Sequence, residues 1–283
     1  MERIKAALER ARQERQSAPN ALSDTAPGAA RGEVAEQMTY TQTRSIKVSE
    51  RIMAERRVIS SLPSKDLTDA YKILRTQVLQ RLLENNWNAL AVTSPGEQEG
   101  KTLTAINLAI SLAMEVNYTV LLVDADLRHP SIHEYFGFKP EYGLSDYLTD
   151  NIPIQDMLVH PEGIGRCVIL PGGKPLPNSS ELLNSPKMSH LVDELKTRYP
   201  SRIVVFDLPP LLTTSDALAF SPYVDAALLV IEDGRTTAQE LERAAELLKG
   251  TNLLGTTLNK VRSIPLRDKR NPGWLSRLLS SQG

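Results

Sequence analysis

From residue 89 onward the chain alternates short apolar runs with segments of helical periodicity. The runs 89–93, 119–124, 166–170, 202–207, 225–231 and 253–259 are rich in Val, Ile and Leu with little polar alternation. Strands buried on both faces of a parallel sheet have this pattern, because helices cover both sides. Between the runs, 103–116, 187–199, 213–221 and 236–249 read as helices. Upstream, Leu67, Tyr71, Leu74, Val78 and Leu82 recur at three- and four-residue spacing and predict a helix over 67–83. The alternation specifies an α/β domain, a mainly parallel sheet with helices on both faces, over residues 61–262. Residues 1–16 form a charged helical pattern with a narrow stripe of Ile4, Ala7, Leu8 and Ala11, which either docks on a partner or frays. Residues 17–60 read as a flexible linker, dominated by Ala, Pro, Ser, Thr and Gly up to about 45 and weak in signal after that. Residues 263–283 are a basic and apolar tail, with Trp274, Leu275, Leu278 and Leu279 beside Arg277.

The first run of this domain leads into Ser94-Pro95-Gly96-Glu97-Gln98-Glu99-Gly100-Lys101-Thr102, and Leu103 opens the next helical pattern. Strand, turn, Gly-Lys-Thr and helix is the context of a phosphate-binding loop, so the domain reads as a P-loop NTPase. Inward-pointing N–H groups of a loop over Pro95 to Leu103 would form an anion site, reinforced by the positive end of the helix. In such a site Lys101 reaches the β- and γ-phosphates and the Thr102 hydroxyl ligates Mg²⁺. Pro95 stands where the simple motif has its first Gly.

Two further runs end in acid, Val120-Leu121-Leu122-Val123-Asp124-Ala125-Asp126-Leu127-Arg128 and Ile203-Val204-Val205-Phe206-Asp207. Ligands of open α/β sheets sit beyond the carboxyl ends of the strands, where Asp124, Asp126 and Asp207 would project. Asp207 fits a Walker-B aspartate that holds Mg²⁺. Asp124 and Asp126, two apart on an extended chain, repel one another unless Mg²⁺ lies between them or one is a base of raised pKa. Arg128 either contacts phosphate or pairs with one of these aspartates. After the last run, Asn259 either bonds the adenine edge, with the Lys260 stem along the ring, or is a turn residue.

The 283 residues are 41% hydrophobic and 24% charged with a net charge of −1, which gives no support to nucleic acid as a partner. The single cysteine, Cys167, excludes an internal disulfide framework and sits in a core strand pattern. With no signal-peptide pattern and no apolar stretch of membrane-spanning length, the expected location is the cytoplasm.

The segments SPGEQEGKT, LLVDADLRHP and IVVFDLPP, with PNSSELLNS (177–185), DGRTT (233–237) and LNKVR (258–262), resemble the bacterial tyrosine kinases of capsule and exopolysaccharide synthesis, the BY-kinases. The likeness runs over roughly 65 to 262 and is greatest to the stand-alone autokinases of exosortase-type systems. It implies an ATP- and Mg²⁺-dependent protein-tyrosine kinase that regulates polysaccharide chain length, polymerisation or export. Asp124 would be the base for a tyrosine hydroxyl and Asp126 would lie near the metal. The resemblance also implies a ring oligomer through the helix motif that here reads Asp69-x-x-Lys72-x-x-Arg75. It further implies activation by a separate membrane chain-length regulator of the Wzz-like kind, which would hold the protein at the inner face of the membrane.

The C-terminal tyrosine cluster usual in these kinases is missing, because no tyrosine lies in the last sixty residues. The acceptor is then elsewhere, with Tyr40 first in line, or on another protein. Leu208 stands where the family often has a small hydroxyl residue. Two other functions compete. A partition or cell-division type ATPase switch would need an extra lysine early in the phosphate loop, and residues 95–99 contain none. A catalytically weak, nucleotide-dependent adaptor of the export machinery would account for the missing tyrosines.

Overall fold

The computed structural model describes residues 43–261 apart from 63 and 200. The N-terminal helical pattern, most of the linker with Tyr40, and the tail 263–283 lie outside the described residues. Eight strands form one sheet: β1 (Arg44–Ile46), β2 (Ala89–Thr93), β3 (Thr119–Asp124), β4 (Val159–Pro161), β5 (Cys167–Leu170), β6 (Arg202–Asp207), β7 (Ala226–Glu232) and β8 (Asn252–Asn259). Their order is β1-β4-β5-β3-β6-β2-β7-β8, and every neighbouring pair is parallel except β4 with β5. The helices are α1 (Glu50–Glu55), α2 (Lys65–Glu84), α3 (Lys101–Ala113), α4 (Ile132–Phe136), α5 (Leu144–Asp150), α6 (Ser179–Leu183), α7 (Pro186–Thr197), α8 (Asp216–Phe220) and α9 (Ala238–Leu247).

The central strands lack polar alternation because each contributes to two cores. Val120 and Leu122 of β3 face one cluster, with Val78 of α2 and Ile106 and Ile110 of α3. Leu121 and Val123 face the other, with Leu191 and Leu195 of α7 and Phe220 of α8. Two-sided burial is what parallel sheets require, and it matches the expected architecture. Cys167 is buried in β5, where burial pushes its thiol up to about 12, so it serves as core.

The expected linker is replaced by ordered structure from Arg44 onward. Strand β1 pairs with β4, and α1 is capped by Ser49, whose hydroxyl accepts from the Ile52 N–H. Fully buried Asn107 of α3 then anchors the following turn. Its Oδ1 accepts from the Ile59 N–H at 3.0 Å, and its Nδ2 donates to the Arg57 carbonyl at 3.1 Å. Elements of three and six residues are too short to show a period, so only tertiary contacts reveal them. On α2, Lys72 pairs with Asp69 at 2.8 Å, whereas Arg75 reaches Glu115, just past α3, at 2.9 Å.

Phe206 of β6 is fully buried with its ring 5.0 Å from that of Phe220. Phe206→Ala should lower stability by about 3–5 kcal/mol. Urea unfolding checks this as a lower midpoint at unchanged slope.

Candidate nucleotide site

The sheet order brings the three motifs together. Strand β6 lies between β3 and β2, and its Asp207 is in register with Asp124 on one side and Val92 on the other. Two carboxylates therefore end neighbouring strands about 4.8 Å apart, beside the strand that launches the loop. Residues 94–100 then turn from β2 into α3. Gln98 and Gly100 hold left-handed φ angles of 61° and 95°, backbone turns of the kind from which anion-binding nests are built. A Cβ on Gly100 would lie 2.0 Å from Asn259 Nδ2, so the position also requires glycine for space.

The loop is braced from beneath and from the far edge. Buried Glu99 accepts the Gly96 N–H at 2.9 Å and the Thr236 hydroxyl at 2.5 Å. Asn259 donates to the Glu99 carbonyl at 2.9 Å and accepts from the Lys260 N–H at 2.8 Å. Lys260 Nζ donates to the Gln98 carbonyl at 2.6 Å and pairs with Glu232 at 3.0 Å. Asn259 thus lines the cleft with its amide engaged on the loop. The DGRTT and LNKVR segments flank the phosphate loop for a mechanical reason that their sequence does not show.

Above the nest opens a cleft of about 690 Å³. Its lining includes Glu97, Gln98, Gly100, Lys101, Thr102 and Leu103 from the loop and helix start, as well as Asp126. Lys101 Nζ donates to Asp126 Oδ2 at 2.7 Å and lies 3.7 Å from Asp207 Oδ1. The other Asp126 oxygen accepts the His129 N–H at 3.1 Å. Asp124 Oδ2 accepts the N–H groups of Ser131 and Ile132, while its Oδ1 and both oxygens of Asp207 are buried without a hydrogen bond. Arg128 does not join these aspartates. It pairs with buried Asp216 of α8 at 3.0 Å, and Asp216 also accepts the Ser179 hydroxyl. Asp216 carried no signal, being one more acid at a helix start.

Burial dominates the electrostatics. It pushes Asp124 up to about 8, with Asp207 adding to the rise, against the Ile132 N–H bond. Burial likewise raises Asp207 to about 6, opposed by Lys101 and the Thr102 hydroxyl. For Lys101 burial favours the neutral amine, but Asp207 and Asp126 more than offset it and hold the amine above its usual range.

Residues 90–271 match the family of the CobQ/CobB/MinD/ParA nucleotide binding domain. Tyrosine-protein kinase YwqD of Bacillus subtilis is 32% identical over 208 residues, which cover 72% of this chain and 86% of YwqD. The chain belongs to the bacterial tyrosine-protein kinase family. Tyrosine-protein kinase etk of Escherichia coli K12 is 33% identical over 201 residues, 70% of this kinase-family chain and 27% of etk's own length. The solved kinase domain of Escherichia coli ETK superposes with a TM-score of 0.67 at 30% identity, covering 79% of this chain and 90% of that domain. These matches bear out the resemblance and the P-loop fold expected from the motifs.

In the nucleotide-free protein, Asp124 keeps a proton in the folded state that the unfolded chain, with its carboxyl near pH 4, has already lost. The unfolded state therefore binds fewer protons between about pH 4 and about 8, and stability falls as pH rises through that window. Thermal unfolding at pH 5 and pH 8 should show this fall, and Asp124→Asn should reduce it. An unchanged fall in the variant would contradict the assignment.

Proposed function

We propose that the chain is an ATP-dependent protein-tyrosine kinase. The observation that carries this reading is the pairing of Asp124 with Asp207 across neighbouring strand ends, with Lys101 of the phosphate loop reaching between Asp207 and Asp126. The oxygens of Thr102, Asp126 and Asp207 are the hard donors that Mg²⁺ takes, and the two Asp207 oxygens, which accept no hydrogen bond, fit a cation there. Bound with the nucleotide, Mg²⁺ supplies charge neutralisation at the phosphate oxygens. The nest N–H groups hold the phosphates, and Lys101 exchanges its carboxylate partner for a phosphate oxygen.

Asp124 is the base in this reading. The acceptor tyrosine oxygen bonds to the γ-phosphorus, the bond from that phosphorus to the β–γ bridging oxygen breaks, and ADP leaves. With Asp124 in its ionised form, the tyrosine proton passes to its Oδ1, which is buried and accepts no hydrogen bond. Its elevated proton affinity suits that role, since a base works best near the operating pH. Leu208 is buried and does not line the cleft, so the absent hydroxyl leaves the loop and carboxylates in place.

The reading extends to control of exopolysaccharide assembly at the inner face of the membrane, with a separate membrane chain-length regulator as activator. Among the described residues no helix is long and apolar enough to cross a membrane. A ring contact through α2 is supported by the exposed Asp69–Lys72 pair and by Ile73, which is 62% exposed beside it. Arg75, committed to Glu115, would act in that contact through α3.

Incubation with γ-labelled ATP and magnesium should leave label on tyrosine. Lys101→Ala should abolish it, and Asp124→Asn should slow it by about a hundredfold or more. Label released as free phosphate in place of phosphotyrosine would favour an ATPase switch, and mass spectrometry of the labelled peptides identifies the acceptor.

A further inference from the structure

We infer that Arg57 is part of the active site and that its guanidinium binds the terminal phosphate of the nucleotide. This rests on the kinase reading above and adds a residue from the stretch that sequence alone assigns to a linker. Three cationic side chains of lysine or arginine line the cleft: Lys101, Lys260 and Arg57. Lys101 is held by Asp126 and Asp207, and Lys260 by Glu232. Among the described residues Arg57 has no carboxylate within ion-pair distance, whereas its neighbour Arg56 pairs with Glu134 and stacks on Tyr135. Much of the positive charge at the phosphate loop is thus already matched by protein carboxylates. A triphosphate brings several more negative charges, and Arg57 is the cation placed to meet them.

Its placement is built into the fold. Arg57 holds a left-handed φ of 62° just past the end of α1, a helix-ending conformation that is uncommon for a non-glycine residue and that its surroundings support. Here the surroundings do so at several points. The Arg57 N–H donates to the Ala54 carbonyl at 3.1 Å, and its own carbonyl accepts from Asn107. Val58 and Ile59 are buried immediately after it, and the Ile59 N–H returns to Asn107. Asn107 lies on α3, six residues beyond Lys101 of the phosphate loop. The turn that presents Arg57 is therefore fixed to the same helix whose first turn would receive the phosphates, so the backbone of Arg57 is held in place relative to Lys101. A planar guanidinium with a free fork of N–H groups suits phosphate oxygens.

Calorimetry on the full chain with magnesium tests the assignment, using ADP and an ATP analogue whose terminal phosphate cannot be transferred. Arg57→Gln should bind ADP within twofold of the native chain and bind the analogue about tenfold to a hundredfold more weakly. Arg57→Lys should recover part of the loss as a point charge. Equal weakening for both nucleotides, or none for either, overturns the assignment. A measurement on the native chain avoids any folding defect of the variants: modification of Arg57 by an arginine-directed dicarbonyl, followed by mass spectrometry, should slow with the analogue and much less with ADP. Equal modification in both overturns it as well. A native chain that takes up neither nucleotide instead overturns the kinase reading on which this inference stands.

Discussion

Three carboxylates and one ammonium crowded at the carboxyl ends of two adjacent strands set the terms for this domain. The sheet places Asp124 against Asp207 by register, and burial removes the water that would otherwise screen them. Lys101 satisfies part of the resulting field and cannot satisfy all of it, because Asp124 Oδ1 and both oxygens of Asp207 remain without a hydrogen bond. Buried acid short of hydrogen bonds is destabilising in itself and persists where a surrounding fold can sustain it. The two apolar cores on either face of the sheet do so here.

The same field explains why the phosphate loop needs support from outside itself. A tight loop with non-glycine Gln98 in a left-handed conformation is not a resting state of an isolated chain. Glu99 ties its floor to Thr236, and Asn259 and Lys260 tie its backbone to the end of β8. On the opposite side, Asn107 ties α3 to the turn after α1. The motif is a local sequence, yet its geometry belongs to four separate stretches of chain.

That division marks what could be read in advance. The strands β2, β3, β5, β6, β7 and β8 stood out because two-sided burial forces continuous apolar runs, and the motif residues stood out because phosphate and metal chemistry narrows the choice of side chain. The short elements β1, α1, α4, α5 and β4 did not, since none runs beyond about two helical turns or one strand repeat, too few to establish a pattern. Arg128 was legible as important and illegible as to partner, since Asp216 lies 88 residues away and resembles any acid at a helix start. Thr236 and Asn107 act through hydrogen bonds to backbone or to another side chain, a role that leaves no mark on composition or spacing.

The Asn259–Glu99 hydrogen bond spans 160 residues of sequence. During synthesis the phosphate loop leaves the ribosome long before its last brace is translated, so a nascent chain carries a complete Gly-Lys-Thr signature without the means to hold it in shape. Competence to bind nucleotide therefore arrives late, when the final strand closes onto the sheet. A polypeptide cut short just before residue 259 would keep every motif aspartate and lose that closure.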